Sequence, residues 1–438
     1  MRPLDGITIL ELARVAPGEF CTMLLADMGA DVLKIETPQG AAEDDRRAAF
    51  AFVNRNKRSL ALNLKAPEGQ AIFRRLAATA DVIVEGFRPG VMKRLGGDYE
   101  TIRTINPRIV YCSLSGFGQD GPYRNYPAHD MNYLSLAGVL GLIGEPDRKP
   151  AIPLNIIADY AGASLHGALG VALALFARER TGRGQHVDVA YLDTTVSLLA
   201  ATPNMRYFFS DGLAPRRGGG FLGGSYPYYA IYETRDRRLL TIGCTEPWLW
   251  ENFCRAIGRP EFARFARRPD QFVRSANAEE EAARREIEAI IRTRDRDEWY
   301  ELLAAADVCV GKVYDVEEVV RDPQITHRQM IVEVEHPRHG KIKRRRGGRA
   351  RSSDHASADD RRGRAPPARQ DQTVRRCAQA VGHPGRRAPR RAAAGRAHRG
   401  SAHRARDERR GDPRPARQRH RRVADRSRLS GRKSRRDR

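Results

Sequence analysis

Apolar and polar residues alternate along the first two hundred positions in a pattern that predicts strands separated by helices. Ile7–Leu12 reads as a buried strand. Pro17-Gly18 opens a helix through about Met28, in which Phe20, Met23, Leu24 and Leu25 recur at helical spacing, and Gly29 ends it. Asp31–Glu36 (DVLKIE) is the next strand, which completes a β-α-β unit. Leu60–Leu64 is short and alternating. A helix follows with Pro67 in its first turn and runs to about Ala80. Asp81–Glu85 (DVIVE) and Arg108–Ser113 (RIVYCS) are two further strands, and Gln185–Tyr191 is another. Strands that alternate with helices imply a parallel sheet covered on both faces, an α/β fold. A dinucleotide-binding architecture is suggested, although no GxGxxG follows the first strand.

Ile156–Arg178 is a long helix-like run rich in Ala, Gly and Leu. Residues 205–224 change character, ending in Arg216-Arg217-Gly218-Gly219-Gly220-Phe221-Leu222-Gly223-Gly224. The stretch is expected to be a flexible loop, either a linker or a lid over a ligand. A smaller α+β segment follows, with strands near Tyr228–Glu233 and Leu239–Gly243 and helices near Pro247–Ile257, Asn277–Thr293 and Asp297–Ala305. The pattern divides the chain into a large domain (1–200), a glycine-rich linker (201–224), a small α+β domain (225–330), a return segment (331–343) and a tail (344–438).

Charge changes the picture only in the tail. Residues 341–438 hold 35 Lys+Arg against 9 Asp+Glu, which leaves 43 basic and 45 acidic groups in the first 340. The formal net charge of +24 therefore belongs entirely to the C-terminal end. Residues 344–438 contain no Phe, Tyr or Trp and a single leucine, Leu429, too little apolar surface to offset the entropy of ordering the chain. The tail is expected to be disordered. One reading is a basic arm that binds nucleic acid non-specifically, with steeply salt-dependent binding lost on truncation at Lys343. The preferred reading is the wrong-frame translation of a GC-rich gene. Arg344–Arg349 can be encoded so that a shift of one base yields Val-Gly-Val-Ala-Val, a strand-like run.

The six cysteines form no CxxC pair, and His398 and His403 have no cysteine pair beside them, which argues against a zinc site or a disulfide framework. Scattered thiols suit a reducing cytoplasm. The start has no apolar secretory core, and no unbroken run of eighteen apolar residues follows, so secretion and membrane spanning are not expected.

Candidate chemistry centres on Ala128-His129-Asp130-Met131-Asn132-Tyr133 and, about thirty residues later, Ala158-Asp159-Tyr160. An imidazole and a carboxylate make a plausible acid/base pair. A lone His–Asp pair in a long chain is more often structural, so the surrounding residues must decide.

Those residues carry a resemblance. Leu10-Glu11-Leu12 with Ala16-Pro17-Gly18, Asn54–Leu60 (NRNKRSL), Gly86–Gly90 (GFRPG), Ser113–Gly118 (SLSGFG) and Thr181–Gln185 (TGRGQ) occur in order, and over about residues 1–340 the chain resembles the class III CoA-transferase family, which includes the α-methylacyl-CoA racemases. The HDMNY block is most similar to the racemase branch. The resemblance implies that His129 and Asp159 act as two bases on opposite faces of the α-carbon of a 2-methylacyl-CoA thioester, with Glu246 as a third acidic residue. The alternative it implies is a transferase that moves CoA between carboxylic acids through an acyl anhydride on Asp159. Leu62, Asn63, Leu64, Lys65, Arg88, Ala128, Asp130, Met131, Asn132 and Tyr133 are then expected to line the CoA and substrate site, with Lys65 and Arg88 near phosphate.

No bound cofactor or metal is implied, the CoA thioester being the substrate. The fold implied is a large Rossmann-like domain plus a smaller α+β domain in an interlocked homodimer. Glu246 would then come from the partner chain. Asp130 and Glu246 are expected to set the tautomer and charge of His129, although Glu246 before Pro247 is equally readable as a carboxylate favoured by the helix dipole. Arg55, Lys57 and Arg58 read as a solvated turn as readily as a phosphate site. Tyr160–Ser164 stands where the racemases usually carry a run of glycines.

Overall fold

A computed structural model of the chain describes residues 1–40, 52–271, 274–336 and 340–345. Most of the Arg-rich tail, and with it the expectations of disorder, frame change and nucleic-acid binding, lies outside the described residues.

Six parallel strands form the main sheet: β1 (Thr8–Leu12), β2 (Asp31–Glu36), β3 (Lys57–Ala61), β4 (Val82–Glu85), β5 (Val110–Ser115) and β6 (His186–Ala190). Their order is β3-β2-β1-β4-β5-β6. This is the doubly wound order of nucleotide-binding folds, whose ligand crevice lies outside the carboxyl ends of the strands, where the order reverses between β1 and β4.

The central strands β1, β4 and β5 are buried on both faces and read as near-continuous apolar runs, whereas the edge strands β3 and β6 are more exposed. On one face Leu10, Leu12, Ile83 and Tyr111 pack with Phe73 and Ala77 of helix α2 (Pro67–Ala77) and Ile102 of α3 (Tyr99–Ile105). On the other, Ile9, Val82, Val84, Val110 and Cys112 pack with Cys21 and Leu25 of α1 (Ala16–Asp27) and Val171, Ala174 and Leu175 of a later helix. Gly18 lies in the first turn of α1. A Cβ there would fall 2.3 Å from Cβ of Ala13, so only glycine lets the helix leave β1 this closely.

Two features depart from the sequence pattern. β3 begins at Lys57, and Leu62–Lys65 is the connection into α2. Two of the three cations here are not solvated: the side chains of Arg55 and Lys57 are buried in ion pairs, while Arg58 is exposed, paired with Asp31 at 2.7 Å. Nζ of Lys57 lies 2.8 Å from the carboxylate of Glu11, and it also donates to the Glu19 carbonyl and to Oδ1 of Asn54. Thr22 donates to the same Glu11 oxygen at 2.6 Å. Lys34 bridges Glu19 and Glu36 at 2.9 and 3.0 Å. Arg55 grips Asp27 with two guanidinium nitrogens. Sequence spacing could not show this, because the partners come from β1, α1 and β2, 27 to 46 residues upstream.

The run from Ile156 is one continuous helical stretch, though not of one kind. Ile156–Ser164 is a π-helix, and α-helical geometry begins only at Leu165. α4 (Asp130–Leu136) precedes it, and α5 (Leu165–Thr181) and α6 (Tyr191–Ala200) follow. At 26 residues, Ile156–Thr181 is long and apolar enough to cross a membrane, which the sequence pattern had not shown because Asp159, Ser164 and His166 interrupt the run. Val171, Ala174 and Leu175 cover the parallel sheet, the place of a core helix.

The expected loop at 205–224 is helical over its first part, as α7 (Pro203–Asp211), and irregular beyond it. A separate antiparallel sheet, β7 (Tyr229–Glu233), β8 (Leu239–Gly243) and β9 (Val310–Lys312), is covered by α8 (Pro247–Ala256), α9 (Ala278–Ile291) and α10 (Arg296–Ala305). Tyr228, Tyr232, Trp250, Phe253, Ile287 and Trp299 form its own core. β10 (Ile331–His336) and β11 (Gly340–Arg345) pair with each other and join neither larger sheet.

Candidate active site

The segments that leave β4 and β5 at the carboxyl end of the sheet carry most of the expected site residues. β4 ends at Glu85 and opens into the Gly86–Gly90 loop with Arg88. β5 ends at Ser115 and leads through Phe117 to His129. Gly116 makes this exit possible: a Cβ there would lie 2.5 Å from the hydroxyl of Tyr133. Tyr133 is buried between Phe117 and Tyr191, with ring centroids at 5.4 and 5.2 Å, and its hydroxyl donates to the Ala128 carbonyl at 2.8 Å. This pins both ends of the HDMNY block.

His129 is the N-cap of α4. Its backbone N–H donates to Oδ1 of Asn132 at 3.0 Å, so Asn132 holds the helix start, and the imidazole is exposed. Met131 is also exposed, at 42%.

Asp130 does something the sequence did not suggest. Its carboxylate is buried, and Oδ2 accepts the backbone N–H groups of Ala158 and Asp159 at 2.8 and 2.9 Å. It is therefore committed to the π-helix and makes no hydrogen bond to His129. Asp159, in the first turn of that helix, is half-buried and accepts Nδ2 of Asn155 at 3.2 Å. Burial raises its carboxyl pKa. The Asn155 bond opposes the shift, the Asp130 charge adds to it, and nearby His129 opposes it. Burial, with Asp159 adding to the effect, pushes the Tyr133 phenol up to about 12, while Arg88 draws it back. His129, Asp130, Tyr133, Asp159 and Arg88 therefore share one electrostatic neighbourhood.

Glu246 lies elsewhere. It is the N-cap of α8, beside the antiparallel sheet, but its side chain does not cap that helix and instead accepts the Thr245 hydroxyl at 2.9 Å. Among the described residues, no hydrogen bond or ion pair joins it to His129 or Asp159. Leu62 is a core residue at 9% exposure, whereas Asn63 and Lys65 are exposed at the entry to α2, where Asn63 Oδ1 accepts the Lys65 N–H. Arg88 is exposed.

Glu85 was not among the sequence candidates. Its carboxylate is buried under the Arg88 loop and accepts the Phe87 N–H at 2.8 Å and the Ser113 hydroxyl. Ser113 Oγ in turn lies 3.0 Å from Nε2 of His186. Burial above all pushes this carboxyl up to about 7. A carboxyl ends β4 one residue before a glycine, and only the strand register reveals that it faces Ser113 rather than solvent.

The shift has a sign. Between about pH 4.5 and pH 7 the unfolded chain has released this proton while the folded protein still holds it, so stability falls as pH rises through that window. Glu85→Gln removes the fall. In urea denaturation the variant should gain about 2–3 kcal/mol on the wild type between pH 5 and pH 8. Parallel stability–pH curves would show that Glu85 ionises normally.

A doubly wound sheet with an imidazole and a perturbed carboxylate outside its carboxyl ends defines an α/β protein equipped for acid–base or nucleophilic chemistry. The chain belongs to CoA-transferase family III, whose family model matches residues 4–372. It is 37% identical over 321 residues to the human alpha-methylacyl-CoA racemase, covering 72% of this chain and 79% of the racemase. It is 36% identical over 343 residues to the acetyl-CoA:oxalate CoA-transferase of Acetobacter aceti, covering 75% and 85%. Among solved structures, a CAIB/BAIF family protein from Brucella suis superposes with a TM-score of 0.65 at 29% identity, covering 80% of this chain and 96% of that one. Rv3272 of Mycobacterium tuberculosis matches with a TM-score of 0.67 at 29% identity, covering 82% and 96%. The chain is thus an enzyme of a family of acyl-CoA racemases and CoA-transferases that acts on CoA thioesters. Among the described residues there is no cluster of three or more side chains able to hold a metal ion.

Proposed function

We propose that the protein is a racemase or epimerase of 2-methylacyl-CoA thioesters, working by 1,1-proton transfer between His129 and Asp159. The observation that carries this reading is the pairing of an exposed imidazole at the start of α4 with a half-buried carboxyl held up in pKa beside it. The thioester carbonyl acidifies the α-hydrogen. Neutral His129 removes that proton from one face while protonated Asp159 delivers its own to the other, and the reverse direction uses the opposite charge states. The pair must hold one proton between them, which a carboxyl with a raised pKa favours at neutral pH.

The second reading is a CoA-transferase. The Asp159 carboxylate would attack the thioester carbon and expel the CoA thiolate, leaving an acyl–Asp159 anhydride. It is supported by relatives named as CoA-transferases at 33–36% identity, close to that of the racemases. Burial argues the other way, because it thins the nucleophilic carboxylate form of Asp159.

The two readings part in D2O. Wild-type protein given a 2-methylacyl-CoA and no acceptor acid should wash deuterium into the α-position. CoA transfer to added acids, with no wash-in, would sink the racemase reading and leave the transferase.

In this reading Lys65 and Arg88 meet the CoA phosphates, and a second copy of the chain supplies Glu246. The exposed face of α5 supports the dimer: Leu165, Leu169, Leu173 and Phe176 form one stripe, 48–63% exposed, with Phe208 and Phe209 of α7 also exposed. An apolar stripe of this kind marks an interface. A monomer in sedimentation at micromolar concentration would remove this part of the proposal. A cytoplasmic location fits the free cysteines Cys21, Cys112, Cys244, Cys254 and Cys309, and cell fractionation would test it.

A further inference from the structure

The backbone of Asp159 is held at both ends by side chains that the reaction does not use. Its N–H, with that of Ala158, goes to Oδ2 of Asp130. Its C=O shares the single Ser164 hydroxyl proton, at 2.9 Å, with the Pro17 carbonyl in the first turn of α1, at 2.7 Å. Asp130 and Ser164 are 4% and 0% exposed. Helix starts leave N–H groups without partners, and a carboxylate there is further favoured by the helix dipole. Here the carboxylate that satisfies them is the chain neighbour of His129. Any shift of the Asp159 turn therefore pulls on the residue that carries the imidazole.

We infer that Asp130 and Ser164 are positioning residues, a clamp that sets the Asp159 carboxyl in register with His129 and ties both to the first turn of α1. The inference rests on the proposed pairing of His129 with Asp159, but the clamp itself is a statement about geometry. It gives residues 156–164 a reason to wind as a π-helix. The wider turn satisfies a fixed carboxylate at one end and a fixed carbonyl of α1 at the other, a place where π-geometry recurs at functional sites.

Asn can accept the same two N–H groups with its carbonyl oxygen, and its amide would occupy the place of Oδ1, which is buried and has no hydrogen-bond partner among the described residues. Alanine removes the bonds altogether. The two substitutions therefore separate bonding from charge. The charged and titratable groups around Asp159 are His129 at the N-cap of α4, Asp130 and Tyr133 from α4, Tyr191 from α6 and Arg88 from the loop after β4, and the neutral amide of Asn155 donates to it from its own segment. α1 presents the apolar Phe20 next to Tyr160.

The experiment uses full-length wild type, Asp130→Asn, Asp130→Ala and Ser164→Ala. It combines amide hydrogen exchange of a peptide covering residues 154–165 with α-carbon deuterium wash-in. Asp130→Ala should lose protection in that peptide while the sheet stays protected, and wash-in should fall about 100-fold in kcat with little change in KM, the penalty of a misplaced catalytic group. Ser164→Ala should fall less, about tenfold. Asp130→Asn should restore protection and stay within about tenfold of wild type. Its acid limb should move to lower pH, because the charge that raises Asp159 is gone.

Full protection of 154–165 in Asp130→Ala overturns the clamp, as does an Asp130→Asn variant as damaged as Asp130→Ala. If the wild type washes in no deuterium, the racemase reading fails, and the clamp stands or falls on the protection data alone.

Discussion

Replacing Lys57 by methionine should destabilise the protein by about 3–5 kcal/mol, as breaking a buried ion pair on one side does. Lys57 is buried, its ammonium 2.8 Å from Glu11, which has no exposed surface. Burial pushes the Glu11 carboxyl up in pKa and the Lys57 ammonium down, while their mutual attraction opposes both shifts. Methionine fills the volume of the lysine stem but leaves a buried carboxylate whose Oε1 already has no hydrogen-bond partner among the described residues. The remaining cation of the cluster, Lys34, is held by Glu19 and Glu36.

Urea denaturation at pH 7 measures the loss, and a loss under about 1 kcal/mol would show that the pair is effectively solvated. Two further outcomes test the cause. The deficit should shrink as pH falls and the orphaned carboxyl is neutralised. Glu11→Leu combined with Lys57→Met should recover much of the stability, since exchanging both partners for apolar groups removes the uncompensated charge.

The second large effect is kinetic. His129→Ala should lower α-carbon wash-in by about 10²–10⁴-fold, the usual contribution of a positioned general acid–base. CoA transfer to an added carboxylic acid, if the protein performs it, should be largely spared. Asp159→Ala should abolish both, since one reading uses this carboxyl as an acid–base and the other as the nucleophile. The pattern across the two variants carries the information. Equal loss of transfer in His129→Ala would mean that the imidazole also serves the transferase chemistry. Retained wash-in in Asp159→Ala would remove this residue from the proton path. Both variants should fold as the wild type does: His129 is exposed, and among the described residues the Asp159 side chain makes one hydrogen bond, to Asn155.

The chain's own pattern determined the α/β class and the strands β1, β2, β4 and β8 almost to the residue, and it nominated His129 and Asp159 as the candidate pair. These are matters of local periodicity and of short motifs, which depend on neighbours a few residues away. Tertiary structure alone decided the rest. Arg55 and Lys57 look like surface cations until β1 and α1 bring Glu11, Glu19 and Asp27 to them. Glu85 looks like a strand-end carboxylate until the register sets it beside Ser113. Asp130 looks like a partner for the imidazole next to it, but a helix start directs its carboxylate to amides 28 and 29 residues away. Each of these depends on which groups burial leaves within hydrogen-bond reach, and in the low-dielectric interior that proximity sets both the charge state and the cost of every change.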